Sequence, residues 1–287
     1  MRKIKSVKAE DSELTSVLNN IEDAPKILYM RGALPEGRPP CVAIIGSRQP
    51  SQYGREVTYR LAYDLAKSGV CVISGLALGV DAIAHQAALD ANGVTLAVMA
   101  GGLHRTYPAT NHALGEAIIK NGGALITEQP PGVEARRYDF LARNRIISGL
   151  ADAVVVTEAT ERSGTLSTVG HALAQNKEVF AVPGPTTSLL SVGPNRLLQQ
   201  GAHIALEAQD ILNVISPDLK PVQLPLVPTA STALEAKIIE AIQLGVRDGD
   251  ELLEKSGAAA GEFLQALTMM ELGGTIRPLG ANRWTLR

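Results

Sequence analysis

The chain has 287 residues, of which 45% are hydrophobic and 20% are charged, and its formal net charge is −2. This length accommodates one large and one small domain, and the composition is typical of a soluble globular protein. The near-neutral charge excludes a globally basic surface, so any site for an anion must be local. No apolar run reaches the ~18–20 residues that span a bilayer, and no apolar segment follows the basic N-terminus, so we expect neither a membrane segment nor a signal peptide.

From residue 41 onward, apolar runs typical of buried strands alternate with amphipathic segments. The runs lie at 41–46, 70–75, 94–101, 124–128, 153–158, 178–184 and 202–207. The amphipathic segments lie at 52–68, 80–91, 110–121, 138–150, 165–176, 193–200 and 208–215. This alternation predicts right-handed βαβ units and an α/β fold with a doubly wound, mostly parallel sheet. Cys41 and Cys71 lie at the start of two of the runs and are expected to be reduced core thiols, as in a cytosolic protein.

The C-terminal part of the chain differs in character. Residues 216–231 contain four prolines and no helical period, which predicts a semi-rigid linker. Residues 232–287 then show three short helical patterns and a hairpin with a turn near 279–282. Three helices followed by a small hairpin predict a winged-helix domain.

Small and basic residues follow five of the predicted strands. Ligands of open α/β sheets bind at the carboxyl ends of the strands, near a topological switch point. A single glycine-containing loop is typical of any tight turn, whereas five such loops on one edge favour a phosphate-binding rim, because backbone N–H groups can then approach an anion. The residues that we single out in these loops are Gly46, Ser47, Arg48, Ser74, Gly75, Tyr107, Ser163, Gly164 and Thr165.

The predicted helix 138–150 carries polar residues where a core-facing stripe should be apolar. At 3.6 residues per turn, Phe140, Arg143, Asn144 and Ile147 share one face, and Arg145 lies beside them. An arginine in this position either binds phosphate oxygens of a ligand or pairs with a buried carboxylate of the protein. The sequence leaves both roles open for Arg143 and Arg145. The carboxylates considered as internal partners are Asp139, Asp152 and Glu158.

Signatures of several enzyme classes are absent. The chain contains neither a P-loop nor a G-x-G-x-x-G turn, and no histidine has metal-ligand spacing, so we predict no cofactor and no metal. Asp81 and His85 lie four residues apart on one helix face. We favour a structural pairing of the two at the helix N-terminus over catalysis or metal binding. Glu158 ends a strand and is a candidate for orienting a loop, without a second carboxylate to make a catalytic pair.

Six motifs in a fixed order carry a family resemblance. With GSR, SGLALGVDAIAH, AGGLHRTYPATN, FLARNRIISGL, EATERSGTLST and VFAVPG, the chain resembles the DNA-processing protein A (DprA/Smf) family over about residues 28–208. The resemblance implies a segment 1–27, an extended Rossmann-like domain 28–215, the linker 216–231 and the winged helix 232–287. It also implies a cytoplasmic protein that has no enzymatic activity and binds single-stranded DNA. Such a protein would form a homodimer through the Rossmann-like domain and load RecA recombinase on incoming DNA in natural transformation.

The resemblance also assigns residues to the DNA site. Leu141 stands where the family usually has proline, and only about 27 residues precede the match, where many members carry a helical domain. Tyr107 and Phe140 are the candidates for base stacking. The residues that the resemblance assigns to nucleic-acid binding are Gly46, Ser47, Arg48, Ser74, Gly75, Phe140, Arg143, Asn144, Arg145, Ser163, Gly164 and Thr165. We add Tyr107 to this site as the second stacking candidate.

Two alternatives belong to other classes. A nucleoside monophosphate phosphoribohydrolase-like enzyme would carry a general acid/base glutamate where this chain has Thr168. A carrier would hold a phosphorylated small molecule on the same rim.

The predicted winged helix is acidic: residues 232–287 contain six basic and eight acidic residues, and the predicted third helix has no Lys or Arg. Because duplex binding depends on phosphate neutralisation, this favours a protein-contact module.

Overall fold

The computed structural model describes residues 4–219 and 230–286. The chain divides into two compact units, Met1–Val222 and Gln223–Arg287. Of the predicted linker 216–231, residues 220–229 lie outside the described residues. None of the described helices is both long and apolar enough to cross a membrane.

A nine-stranded sheet forms the centre of the first unit. Its strands are β1 (Lys5–Val7), β2 (Leu28–Gly32), β3 (Cys41–Ile45), β4 (Cys71–Ser74), β5 (Thr95–Val98), β6 (Ala124–Thr127), β7 (Ala153–Val156), β8 (Glu178–Ala181) and β9 (His203–Ile204). The order across the sheet is β1-β2-β6-β5-β4-β3-β7-β8-β9. Every pair from β6 to β9 is parallel. The predicted doubly wound, mostly parallel sheet is confirmed.

Two antiparallel strands at one edge were not predicted. β2 pairs antiparallel with β6, and β1 pairs antiparallel with β2. The run LYMRG of β2 is interrupted by Arg31, whose guanidinium is buried and bonds to Glu116 at 2.8 Å. The segment 1–27 also contributes to the core of this unit, since Leu14 and Leu18 are fully buried in it.

Helices cover both faces of the sheet. They are α1 (Glu13–Ser16), α2 (Gln52–Lys67), α3 (Val80–Asp90), α4 (His112–Lys120), α5 (Arg137–Leu150), α6 (Thr165–Ala174), α7 (Val192–Gln199) and α8 (Ala208–Ile215). Along β3, Ala43 and Ile45 enter one core while Val42 and Ile44 enter the other. Burial on both faces explains why these strands read as unbroken apolar runs. Cys41 lies opposite Cys71 on β4, and both thiols are free and buried.

The path of α5 determines the geometry of the site. The chain leaves β6, and β7 lies on the far side of β5, β4 and β3 in the sheet order. α5 makes this connection and contacts all three intervening strands. A helix that crosses the sheet in this way brings the side chains of its inner face to the carboxyl ends of strands that are distant in sequence.

The second unit is a winged helix, as predicted. It contains α9 (Ala233–Gln243), α10 (Gly249–Ser256), α11 (Ala260–Leu272) and the antiparallel pair β10 (Ile276–Gly280) and β11 (Arg283–Leu286). Asp248 caps the N-terminus of α10, where its side chain accepts from the N–H groups of Asp250 and Glu251, and Gly257 caps the C-terminus in the left-handed region. Ile238, Phe263 and Leu267 lie in its hydrophobic core.

Candidate nucleic-acid interface

Two loops meet at the switch point of the sheet. β3 lies between β4 and β7, so the chain proceeds in opposite directions from it, and ligands of such sheets bind at this position. The Ser47 N–H donates to the Glu158 carbonyl at 2.7 Å. From the second loop, the Thr165 hydroxyl donates to the Gly46 carbonyl at 3.1 Å. The loops after β3 and β7 therefore form one connected surface.

The residue at position 46 must be small. A Cβ added to Gly46 would lie 2.8 Å from Val80 Cγ2 and 2.9 Å from the Glu158 carbonyl oxygen. Beside it, the Ser163 hydroxyl donates to Thr165 Oγ1 at 2.9 Å and accepts from the Thr165 N–H at 3.2 Å. Gly164 between them is exposed. Small side chains thus keep the N-terminus of α6 open, as an anion site requires.

Arg48 and two aromatic rings form a cluster at the edge of this surface. The Arg48 guanidinium lies 5.7 Å from the centroid of the Phe140 ring. The Phe140 ring is tilted against that of Tyr107, with 5.6 Å between centroids. Tyr107 and Arg48 are exposed and Phe140 is half-buried. Arg48 makes no ion pair with any residue in 4–219 or 230–286, so its charge is available to a ligand.

Arg143 lies beneath the surface rather than on it. Only 6% of the residue is exposed, and its Nη1 donates to the Gly75 carbonyl at 3.0 Å and to the Val98 carbonyl. These carbonyls follow β4 and end β5, the strands that α5 crosses. Burial lowers the pKa of Arg143 to about 10, Asp81 opposes this, and Arg48 lowers it further. The guanidinium remains cationic near neutral pH.

The loop after β4 is built around Arg143 and Asp81. The Gly75 N–H donates to the Asp81 carboxylate at 3.1 Å, and a Cβ at position 75 would lie 2.6 Å from Arg143 Nη2. Ser74 is fully buried and its hydroxyl donates to the Ile44 carbonyl at 2.7 Å. Burial raises the pKa of Asp81, while Arg143 lowers it. These buried residues therefore fix the backbone of the loop after β4 beneath the exposed surface.

Asn144 and Arg145 also hold parts of the protein together. The Asn144 amide donates to Ser167 Oγ at 2.9 Å, which ties α5 to α6. Arg145 makes two bonds to Glu128, at 2.9 and 2.6 Å, and two to the Asp23 carbonyl, at 3.1 and 2.9 Å. The guanidinium of Arg145 is thereby occupied by internal partners.

The carboxylates considered from the sequence have other partners. Asp139 accepts from the Arg136 N–H at 2.6 Å, and Asp152 accepts from Arg38 and from the Cys41 N–H. Glu158 accepts from the Ser51 N–H at 2.8 Å and the Ser51 hydroxyl at 2.5 Å, which orients the start of α2. A pairing of Arg143 or Arg145 with any of these three carboxylates is therefore wrong.

The expected pairing of Asp81 with His85 is also wrong. His85 Nδ1 lies 2.7 Å from the Thr95 hydroxyl, which itself donates to the Val72 carbonyl at 2.7 Å. The hydroxyl therefore accepts from the imidazole. Burial lowers the pKa of His85 to about 3, so the ring is neutral. Within the described ranges, no group of three or more His, Cys, Asp and Glu side chains is arranged to hold a metal.

A further cation, Arg162, lies at this edge and was not predicted from the sequence pattern. Arg162 immediately precedes Ser163, is exposed, and has no ion-pair partner within the described ranges. Its position in ERSGT, directly before the small residues of the loop, was the signal that could have identified it. Leu141, in the place where the family usually has proline, is exposed and faces Gly164.

An open, doubly wound sheet with a glycine-rich, cationic switch point defines a Rossmann-like domain, here followed by a winged helix. The chain matches the family of DNA recombination-mediator protein A over residues 5–216 and the DprA winged helix domain over residues 220–282. It therefore belongs to the DNA recombination-mediator protein A family. It is 36% identical to Protein Smf of Escherichia coli (strain K12) over 270 residues, which cover 88% of this chain and 70% of Smf.

Two solved structures are similar to the chain. One is DNA processing protein A from Streptococcus pneumoniae, with a TM-score of 0.67 and 36% identity, covering 74% of this chain and 75% of that protein. The other is DNA processing protein A from Helicobacter pylori, which is described in its single-stranded DNA binding mode. Its TM-score is 0.67 with 31% identity, and the match covers 76% of this chain and 98% of that protein.

Proposed function

We propose that the chain binds single-stranded DNA across the switch point and acts as a recombination mediator that loads RecA recombinase on incoming DNA in natural transformation. The observation that carries the proposal is the exposed Arg48, which makes no ion pair with the described residues and whose guanidinium lies 5.7 Å from the centroid of the Phe140 ring, beside the open loops. Single-strand binding combines such a cationic track with stacking surfaces. The proposal assigns the chain to the cytoplasm, where RecA acts.

Phosphates and bases are assigned to different residues. Arg48, the hydroxyl of Ser47 and the backbone of Gly46 contact phosphate oxygens at the end of β3. Ser163, Gly164 and Thr165 do so at the start of α6, where the positive end of the helix dipole favours an anion. The bases stack on the rings of Tyr107 and Phe140, and such stacking has no sequence preference.

The residues beneath the surface contribute by support and by charge. Ser74, Gly75 and Asn144 hold the loops in place, and Arg143 adds positive potential near Arg48, as the effect of Arg48 on its pKa supports. Arg145 anchors α5 to Glu128. We accordingly revise the direct phosphate contact expected for Arg143 and Arg145 to a positioning role.

We assign no turnover to the site. Glu158, a carboxylate at the switch point, is 1% exposed and is engaged by Ser51, so it is not free to act as an acid or base. Position 168, where a phosphoribohydrolase-like enzyme needs a glutamate, holds a buried Thr168. Incubation with nucleoside monophosphates, ATP and single-stranded DNA should release no product above a blank, and multiple turnover on any of them would refute this part of the proposal.

A homodimer through the first unit completes the proposal. Ile204 of the short edge strand β9 and Leu206 beside it are more than half exposed. Exposed apolar side chains that lie together favour association with a second copy. Two DNA sites in one dimer would raise the affinity for long strands through avidity.

The central experiment is fluorescence anisotropy with labelled oligo-dT of increasing length at several salt concentrations. We expect affinity to rise with length and to fall with salt, since phosphate contacts release counterions. A mononucleotide should not compete. Saturation by a mononucleotide would instead indicate a small-molecule carrier. RecA assembly on the same oligonucleotide, measured with and without the protein, tests the loading step, and an unchanged assembly rate would refute it.

A further inference from the structure

The third helix of the winged helix, α11, has two apolar faces. Phe263, Leu267 and Met270 are buried in the core of the unit. On the opposite side, Leu264 is 62% exposed, Met269 is 58% exposed and Leu272 is 78% exposed. At about 100° per residue, these three side chains fall within an arc of roughly 140° that faces solvent. We call this surface the outer face of α11.

Nothing charged interrupts the outer face. The residues that lie between its three large side chains are Gly261, Gln265 and Thr268, and all are exposed. The Thr268 hydroxyl donates to the Leu264 carbonyl at 2.8 Å, so its hydrogen-bonding need is met within the helix. Contiguous exposed leucine and methionine side chains, rimmed by polar residues, are typical of a protein-binding surface.

Acidic residues lie at both borders of the outer face. On the helical wheel, Glu271 falls just outside Leu264 and Glu262 falls just outside Met269, and both are exposed. Residues 260–272 contain no Lys or Arg. A winged helix places its third helix against duplex DNA, where phosphate neutralisation supplies most of the affinity. The charges at this helix oppose that use. They also oppose a second copy of the same face, since like carboxylates would meet.

We propose that the outer face of α11 docks a basic, amphipathic helical segment of a partner protein. Apolar side chains of the partner would cover Leu264, Met269 and Leu272, in the manner of a helix laid along an apolar surface. Lys or Arg on the flanks of the segment would pair with Glu262 and Glu271. This inference does not depend on the DNA site of the first unit, so each can fail without the other.

The test uses the full chain and a synthetic probe of this chemistry. The probe is a fluorescein-labelled peptide of about 18 residues, five helical turns, with leucine on one face and lysine elsewhere. In anisotropy titrations at about 0.15 M salt, we expect saturable binding. Leu264→Ser combined with Leu272→Ser should weaken it at least tenfold. Glu262→Lys with Glu271→Lys should weaken it and reduce its salt dependence.

Two controls distinguish binding at the outer face of α11 from nonspecific peptide binding. Leu173→Ser removes a leucine of similar exposure from α6 and should leave binding unchanged, and a peptide with glutamate in place of lysine should not bind. Because the changed leucines are exposed, thermal melts should be unaltered. Absence of peptide binding, or binding insensitive to the double leucine variant, overturns the proposal. So does self-association, or duplex binding, that the same variant abolishes.

Discussion

Replacing Arg48 by alanine tests the DNA site while leaving the fold almost untouched. Arg48 is exposed and has no ion pair with the described residues, and its guanidinium lies 5.7 Å from the centroid of the Phe140 ring. Such a cation–π contact contributes about 0.5–1 kcal/mol at an exposed site. The free energy of unfolding should therefore fall by no more than about 1 kcal/mol.

The effect on binding should be larger. A hydrogen bond from a guanidinium to a charged phosphate is worth about 1.5–3 kcal/mol. Its loss corresponds to an affinity for oligo-dT that is roughly 10- to 150-fold weaker. One phosphate contact fewer should also flatten the slope of log K against log salt by about 0.7. Arg48→Lys should restore the slope but only part of the affinity, because lysine cannot bond bidentately.

The assay is anisotropy with oligo-dT and with an oligonucleotide of mixed sequence, over a series of salt concentrations, beside urea unfolding of each variant. Both oligonucleotides should lose affinity alike, since phosphate contacts carry no sequence information directly. Unchanged affinity and slope in a folded Arg48→Ala protein would refute the assignment. A loss confined to one base sequence would show that Arg48 reads bases.

Three further predictions concern the rest of the chain. Arg143→Ala should lower the free energy of unfolding by about 3–5 kcal/mol in urea titrations, because the buried carbonyls of Gly75 and Val98 and the Asp81 carboxylate lose their cation; a loss below about 1 kcal/mol would contradict its buried role. His85 has a pKa of about 3 in the fold and about 6.5 when unfolded. Its contribution to the free energy of unfolding is therefore fully present above pH 6.5 and is lost toward pH 3, by up to about 1.4 kcal/mol per pH unit. His85→Leu should make the free energy of unfolding less dependent on pH over this range, and an identical slope in the variant would refute this prediction. A chain ending at Pro221 should bind oligo-dT within tenfold of the full chain, about 1.4 kcal/mol, and a greater loss would make the winged helix a principal DNA contact.

Three consecutive residues of α5 illustrate what the pattern of polar side chains could and could not predict. Arg143, Asn144 and Arg145 interrupt an otherwise apolar helix, which indicates that each needs a partner. Their partners differ completely: backbone carbonyls after β4 and β5, Ser167 of α6, and Glu128 with the Asp23 carbonyl. These partners lie from 17 to 122 residues away in sequence. They meet only because α5 crosses three strands.

The sequence by itself determined the class of fold, because strand and helix periodicities are local and burial of the sheet on both faces leaves unbroken apolar runs. It also determined the winged helix, from three helical patterns and a hairpin. Tertiary structure alone decided which arginine is inside and which is outside. Arg48 and Arg143 carry the same side chain, yet one is exposed beside Phe140 and the other is buried between Asp81 and two carbonyls. Burial depends on which strands a helix crosses, and that is set by the order of the whole sheet.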